Sequence, residues 1–234
     1  VDPGRAKSQA YRLPIHRNWY RATISHNAVI VDGKSQDGTT VKFAFRLRDG
    51  AIIESVLMRS EKRSTFCISS QVGCAMGCTF CATGKLGLQR NLTAGEILEQ
   101  VAALARADGD EAGNVVFMGM GEPLANLGSV TAALDALTDE RRFAIGTRRI
   151  TVSTVGLPEQ IRALSQLPGP PNLALSLNSP FARPRAEIMP VAGRERLDDV
   201  IEACREYYDK TGRRVMVEYV MLGGQNTDIG SARG

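Results

Sequence analysis

Three of the chain's five cysteines fall within the segment CAMGCTFC. Cys74, Cys78 and Cys81 are separated by three and then two residues, which favours metal or redox chemistry in a reducing compartment over a disulfide framework. A structural zinc ion would need a fourth ligand. Three thiolates on a four-iron cube instead leave one iron open as a binding site. The spacing therefore favours an iron–sulfur cluster over zinc or structural thiols. The possible fourth zinc ligands are Cys67, Cys204, His16 and His26.

Further polar residues follow strand-like runs. Gly121 and Glu122 stand in the segment GMGEP, Ser153 in STVG, and Ser176 to Asn178 in SLNSP. Glycine lets backbone approach a ligand closely, and Glu122 offers an acceptor to an ammonium or hydroxyl group. Each residue could also serve an ordinary turn or strand end. Their shared position after strands is what indicates a site.

Five short apolar runs alternate with four helical segments from about residue 64 onward. The first of these helices opens at a capping box of Thr93 and Glu96. Runs that are apolar on both faces are typical of buried parallel strands, joined here by helices in an open sheet or a barrel. Ligands gather at the carboxyl ends of such strands. The sequence predicts an α/β fold with a small N-terminal β lead-in, a hairpin that turns at Asp49 and Gly50. We expect residues 1–60 to form the lead-in and residues 61–234 the core.

The composition is that of an ordinary globular protein, with 43% apolar residues and a net charge of +4. The sequence shows neither an apolar run of about 18 residues nor a charged leader, so we expect a cytoplasmic protein without a membrane span. Paired basic residues such as Arg148 and Arg149 are compatible with a phosphate-rich partner or with solvated faces. The chain starts at Val1 and ends in a Gly/Ser-rich tail, and we expect a fragment at both ends.

The cysteine spacing, Phe80 before the last cysteine and GMGEP together resemble the radical S-adenosylmethionine (SAM) signature. More narrowly, the segments FCISSQVGCAMGCTFCATGKLGLQRNLTAGEI, FMGMGEPLANL, RRITVSTVG, LALSLNSP and EYVML resemble the RlmN/Cfr family of radical SAM adenosine methyltransferases, from about residue 40 to 222. This resemblance implies a partial (β/α) barrel of the radical SAM type. It also implies a [4Fe-4S] cluster on the three cysteines, S-adenosyl-L-methionine as cosubstrate, and an adenosine of 23S rRNA as substrate, with tRNA as a further substrate of some members.

The resemblance also implies roles for single residues. Gly121, Glu122, Ser153 and Ser176 with Leu177 and Asn178 match cosubstrate contacts. Cys67 matches a resolving cysteine whose thiolate releases the product by forming a disulfide, although by itself it reads as a buried strand thiol. Glu54 matches the glutamate that accepts a proton from the adenine carbon. From the residues alone, Glu54 could equally be a solvent-facing strand residue. Asn178 replaces the usual histidine, and an amide cannot change its charge near neutral pH.

The chain lacks the family's methyl-carrier cysteine in its Ala-Cys-Gly-Gln context. Cys204 does not replace it, because it shares a helical face with Leu197, Val200, Ile201 and Tyr208 and is predicted to be core. We therefore expect at most traces of 5′-deoxyadenosine and no methyladenosine from this chain alone. The alternatives are a radical enzyme core for another substrate and a non-catalytic, cluster-bearing RNA-binding core. C2 is favoured over C8 as the target carbon, a flavodoxin-like electron donor is expected, and the protein is expected to be a monomer.

Overall fold

The computed structural model describes residues 40–61, 63–109 and 113–233. Predictions that involve His16 and His26 lie outside these ranges. Within them, seven strands form one sheet in the order β1-β2-β3-β6-β7-β8-β9, and β4 pairs with β5 in a separate hairpin. The strands are β1 Thr40–Arg46, β2 Ile52–Arg59, β3 Ser64–Cys67, β4 Gln71–Gly73, β5 Leu88–Asn91, β6 Asn114–Phe117, β7 Ile150–Thr154, β8 Asn172–Ser176 and β9 Val215–Glu218.

Helices connect most of the parallel strands. The α-helices are α1 Ala82–Lys85, α2 Ala94–Ala107, α3 Leu127–Thr138, α4 Pro158–Leu164, α5 Ala182–Ile188, α6 Leu197–Thr211 and α7 Ile229–Arg233. Short 3-10 helices occupy Pro123–Asn126, Thr147–Arg149 and Pro190–Gly193.

The parallel part of the sheet is wound in one direction. Strands β3, β6, β7, β8 and β9 pair in parallel, each beside its predecessor. A doubly wound sheet would reverse its strand order partway, whereas this order is that of a (β/α) barrel segment. The predicted α/β fold is confirmed, and the carboxyl ends of the five strands lie at one edge.

The predicted β lead-in is an antiparallel hairpin of β1 and β2. Asp49 Oδ1 accepts a hydrogen bond from the Ala51 N–H at 3.1 Å, within the predicted turn. Strand β2 pairs with β3, so the hairpin extends the same sheet. The expected boundary between residues 60 and 61 falls between these two hydrogen-bonded strands, and the division into two domains stays a prediction.

Helix α2 begins at the predicted capping box. The Thr93 side chain accepts from the Glu96 N–H at 3.2 Å, and Glu96 Oε2 accepts from the Thr93 N–H at 2.9 Å. On its buried face, Gln100 accepts from the Ser55 hydroxyl at 2.7 Å and from the Ser69 N–H at 2.8 Å. This buried amide fixes the segment after β3, which leads into the cysteine loop.

Helix α6 buries a slightly different face from the predicted one. Val200, Ala203, Cys204 and Tyr207 are buried, which confirms Cys204 as core. Ile201 and Tyr208 are instead 39% and 56% exposed, so their predicted burial is wrong. The buried stripe follows the i, i+3, i+4, i+7 positions that begin at Val200.

Candidate active site

The cysteine loop, residues 74–81, lies between β4 and α1 and is held at its start and near its centre. The Cys74 N–H donates to Gly87 O at 3.0 Å in the β4–β5 hairpin. The Thr79 N–H and hydroxyl both donate to Ile188 O, at 2.9 and 3.3 Å. Cys78 packs with Ile188, Met189 and Leu222. The end of α5 therefore supports the centre of the loop.

The three cysteine side chains lie in or near low-dielectric surroundings. Cys74 and Cys78 are buried and Cys81 is half-buried. Burial raises the pKa of Cys74 to about 11 and that of Cys78 to about 12, and the neighbouring thiols add to both shifts. A bound metal reverses this preference because it stabilises the thiolate form.

Cys74, Cys78 and Cys81 all line one cavity of ≈ 450 Å³. Among the described residues, no three His, Cys, Asp or Glu side chains are grouped so that they could hold a single metal ion. A four-iron cube distributes its thiolates over separate irons, so its ligands need not meet at one point. Three soft thiols around a cavity of this size fit such a cluster better than a zinc ion.

The carboxyl ends of four further strand segments complete the cavity wall. The additional lining residues include Met118, Gly121, Glu122, Ser153, Val155, Ser176, Asn178, Glu218 and Val220. The predicted convergence of GMGEP, Ser153 and Ser176 beside the cysteines is thus what the structure contains, and the cavity lies where ligands of parallel barrels bind.

Glu122 is a buried carboxylate on the cavity wall, 2% exposed. Its Oε1 accepts from the Leu124 N–H at 3.0 Å and its Oε2 from the Val155 N–H at 2.9 Å. Burial raises the pKa of Glu122 to about 7 against the opposing effect of these two hydrogen bonds. The carboxylate is therefore fixed in place and can accept a hydrogen bond from a ligand.

The glycines of GMGEP approach the protein's own backbone. A Cβ on Gly119 would lie 2.7 Å from the Ile68 carbonyl, and one on Gly121 would lie 2.5 Å from the Gln71 side chain. Gly121 also has a φ of 101°, which side chains rarely adopt. We expect these glycines to let the backbone approach a ligand. The structure shows that they also let this loop pack closely on the segment after β3.

Ser153 and Ser176 share a partner that the sequence did not single out. Their hydroxyls donate to Glu218 Oε2, at 2.9 and 3.3 Å. The strand register places all three residues on the same face of the sheet. Glu218 is the last residue of β9 and the first of the segment EYVML. The sequence could show that its side chain faces inward only by assuming a strict alternation along the strand.

Leu177 and Asn178 differ in their access to the cavity. Leu177 does not line it, whereas Asn178 does. Both ends of the Asn178 amide are already engaged: Oδ1 accepts from the Val220 N–H at 2.8 Å, and Nδ2 donates to Met189 Sδ at 3.1 Å. Asn178 has a φ of 56°, a conformation in which asparagine is enriched. This residue links β8 to the chain after β9.

Cys67 and Glu54 lie outside the cavity lining. The β2–β3 register nevertheless places both on one face of the sheet, the face that also carries Ser153 and Glu218. Burial raises the pKa of Cys67 to about 12, with a further contribution from the Glu218 carboxylate. All five cysteines are free thiols.

Glu54 is neither fully solvent-facing nor free. Lys42 Nζ donates to Glu54 Oε1 at 2.7 Å, and the two side chains are only 12% and 23% exposed. The partly buried ion pair holds the carboxylate on the inner face of β2. Lys42 is a second residue near the site that the sequence did not indicate.

The paired arginines lie at the other end of the strands. Arg63, Arg148, Arg149, Arg213 and Arg214 line a separate depression, beside the amino ends of β3, β7 and β9. Arg213 Nη2 donates to Thr147 Oγ1 at 2.6 Å. These basic pairs do not surround the cavity at the carboxyl ends.

The fold and the cysteine site define a radical SAM core. The Radical SAM superfamily model matches residues 68–229, and this chain belongs to that superfamily, whose members use a [4Fe-4S] cluster and SAM. A second model, Heparinase II/III-like, C-terminal, matches residues 1–69. Residues 40–69 of that match supply strands β1 to β3 of the same sheet.

The named relatives are more specific. The probable dual-specificity RNA methyltransferase RlmN of Rhodopirellula baltica is 49% identical over 205 residues, which cover 87% of this chain and 55% of that protein. The corresponding protein of Bifidobacterium adolescentis is 48% identical over 206 residues, covering 84% of this chain and 53% of that protein. The resemblance to this family is confirmed, and the chain spans about half the length of these curated relatives.

A solved structure agrees with the fold. The crystal structure of a radical SAM methyltransferase from Sphaerobacter thermophilus has a TM-score of 0.82 and 45% identity, covering 86% of this chain and 60% of that one. No helix in the described ranges is long and apolar enough to cross a membrane.

Proposed function

We propose that this chain is the core of a radical SAM methyltransferase that methylates an adenosine in 23S rRNA, with C2 as the target carbon and tRNA as a second substrate. The observation that carries the proposal is the convergence of Cys74, Cys78 and Cys81 with Glu122 on one cavity at the carboxyl ends of the parallel strands. The named RlmN relatives support RNA as the substrate class.

Cys74, Cys78 and Cys81 would hold the cluster, with one iron open to the amino and carboxylate groups of SAM. When bound, the reduced cluster supplies the electron that cleaves the sulfonium of SAM. Glu122 accepts a hydrogen bond from an N–H group of the cosubstrate. Backbone N–H donors hold both of its oxygens in position for this contact. Ser153 and Ser176 donate their hydrogens to Glu218, so their free lone pairs accept hydrogen bonds from cosubstrate hydroxyls.

The two catalytic assignments concern the RNA half of the reaction. Cys67, on the inner face of β3, acts as the resolving thiol. Glu54 takes a proton from the adenine carbon, and Lys42 holds its carboxylate. Gly121 and Asn178 shape the wall that the cosubstrate contacts. Leu177 does not line this wall and supports it through its backbone, whose N–H donates to Glu218 O. We assign a cytoplasmic location, a monomeric state and a flavodoxin-like electron donor to the same proposal.

Anaerobic reconstitution with iron and sulfide tests the cluster. We expect the wild-type chain to bind about four irons and to show iron–sulfur absorption, because three thiolates can each hold one corner of the cube. Cys74→Ala, Cys78→Ala and Cys81→Ala should each abolish this absorption. Cys204→Ala is the matched control, since Cys204 is also a buried thiol but lies on α6, and it should retain the cluster. One zinc per chain and no iron–sulfur absorption would refute the proposal.

The reaction itself is best tested in the source organism. Deletion of the gene should remove a methyladenosine from 23S rRNA, and restoration of the gene should return it. Mass spectrometry of digested rRNA and tRNA against 2-methyl and 8-methyl standards separates the C2 proposal from C8 methylation and shows whether tRNA is modified. Unchanged rRNA and tRNA would favour the alternative of a radical enzyme for another substrate.

A further inference from the structure

Arg185 is a buried cation without an anionic partner. Only 1% of the Arg185 surface is exposed to solvent. In the part of the chain that the structure describes, no carboxylate forms an ion pair with it. Its Nη1 is the one buried side-chain nitrogen or oxygen there that has no hydrogen-bond partner. An unpaired buried charge costs several kcal/mol, so this arrangement requires an explanation.

The rest of the guanidinium caps the ends of two strands. Nε donates to Leu177 O at 3.0 Å, and Nη2 donates to Val155 O and, at 3.4 Å, to Ser176 O. These carbonyls offer partial negative charge but no full countercharge. Burial accordingly lowers the pKa of Arg185.

The helix that carries Arg185 is the one that supports the cysteine loop. Arg185 O accepts from the Met189 N–H at 2.8 Å, and Ile188 O accepts from Thr79, the residue after Cys78. The groups that interact electrostatically with Arg185 are Cys78 and Cys204. The Cys204 thiol has its pKa raised to about 11 by burial, so it carries no charge near neutral pH. Cys78 becomes anionic when iron binds it.

We propose that Arg185 is the buried countercharge of the cluster held by Cys74, Cys78 and Cys81, and that it stabilises the one-electron-reduced form. This inference rests on the cluster in the proposed function. Reduction adds one electron from a low-potential one-electron donor, breaks no bond and increases the negative charge of the cluster, which strengthens its attraction to a fixed cation. Arg185 does not line the cavity, so it acts on the cluster as a positioning and tuning residue without contacting SAM.

The test is the midpoint potential of the reconstituted wild-type chain and of three variants, measured by anaerobic redox titration with EPR. Arg185→Gln removes the charge, and Arg185→Lys keeps the charge but loses the fork that bonds three carbonyls. Arg183→Gln is the matched control, because Arg183 lies on the same helix with a side chain 92% exposed. Iron content, sulfide content and thermal unfolding are measured for each variant.

At the potential where the wild-type cluster is half reduced, we expect the ratio of reduced to oxidised cluster to fall at least about tenfold in Arg185→Gln, which corresponds to about 59 mV for one electron. Arg185→Lys should stay within about threefold of the wild type while losing thermal stability, and Arg183→Gln should match the wild type in both. Equal shifts in the glutamine and lysine variants would overturn the inference, because loss of the carbonyl cap would then explain them.

Two further outcomes are also decisive. If Arg185→Gln assembles no cluster, the lysine variant decides. A midpoint potential of Arg185→Lys equal to that of the wild type supports the charge role, and a tenfold change in its ratio of reduced to oxidised cluster overturns it. If the wild-type chain itself assembles no cluster, the proposed function fails and this inference fails with it. If the wild-type chain assembles the cluster and Arg185→Gln has the same midpoint potential, the inference is refuted and the proposed function stands.

Discussion

Glu122 shows at the residue scale how the fold alters the chemistry of one side chain. Its carboxyl is buried, and desolvation raises its pKa to about 7 although two backbone N–H groups favour the charged form. An acid in this state is poised between charged and neutral forms at physiological pH, which is typical of functional sites. The sequence indicated Glu122 from its place after a strand, but it could not give its burial.

The raised pKa predicts how stability depends on pH. Between about pH 4.5 and 7 the folded chain retains a proton on Glu122 that the unfolded chain has lost, so the free energy of unfolding falls as pH rises through this window and levels off above it. The contribution is at most about 3 kcal/mol. Urea unfolding of the iron-free chain at pH 5, 6, 7 and 8 measures it.

The control variants separate this group from others that titrate. Glu122→Gln cannot titrate and should lose the decline, whereas Glu140→Gln, at an exposed position, should keep it. The same pH dependence in wild type and Glu122→Gln would show that Glu122 titrates in its ordinary range.

Residue types and spacing predicted that the three cysteines, Glu122, Ser153 and Ser176 lie together, because each follows a strand end or carries distinctive chemistry. Glu218 and Lys42 could not be found in this way. Their importance comes from cross-strand neighbours, Ser176 for Glu218 and Glu54 for Lys42, and a single sequence does not contain these pairings. Arg185 was missed for a different reason: arginine is usually exposed, and the sequence does not show that this one is buried.

At the element scale, the loop between β6 and α3 brings Glu122 to the cavity by packing on the segment after β3. The Gly119 N–H donates to Ile68 O at 3.0 Å, and the Gln71 N–H donates to Met120 O at 3.1 Å. The Glu122 N–H donates to Gln71 Oε1 at 2.8 Å. Close contact of two backbones therefore sets the position of the carboxylate.

Gly119→Ala should disrupt this contact. The new Cβ would lie 2.7 Å from the Ile68 carbonyl and from Ser69 Oγ, so backbone must move, and we expect a loss of about 1–3 kcal/mol in unfolding free energy. Gly128→Ala is the matched control, because a Cβ there, within α3, meets nothing within 4 Å. It should be neutral or stabilise by up to about 1 kcal/mol. Urea unfolding measures both, and equal effects would contradict the packing argument.

The sequence predicted the elements with strong periodicity or clear boundaries. Helix α2 was indicated by its capping box, and β7 and β8 by their buried apolar runs. The β4–β5 hairpin and α5 were not predicted. Strand β4 has only three residues and α5 only seven, too few to show a period, and Pro184 within α5 is a residue that usually interrupts helices. Both missed elements hold the cysteine loop in place.

At the scale of the whole molecule, one cavity joins segments that are far apart in the chain. Its wall runs from Cys74 through Glu122, Ser153 and Ser176 to Val220, so it draws on the ends of four of the five parallel strands in the described sheet. A ligand that bridges these segments binds the folded chain and has no equivalent site in the unfolded one. Its binding must then stabilise the whole sheet.

This linkage predicts the effect of SAM on thermal unfolding. At a concentration about 100 times its Kd, SAM should add about 2.7 kcal/mol to the stability of the cluster-loaded chain, which raises Tm by roughly 5–10 °C for a domain of this size. Because the open iron supplies part of the binding site, the iron-free chain and Cys78→Ala should show a much smaller shift at the same SAM concentration. Anaerobic calorimetry with matched samples measures all three. A shift of the same size without the cluster would show that the cavity binds SAM independently of iron, and the role assigned to Cys74, Cys78 and Cys81 in holding the cosubstrate would then be wrong.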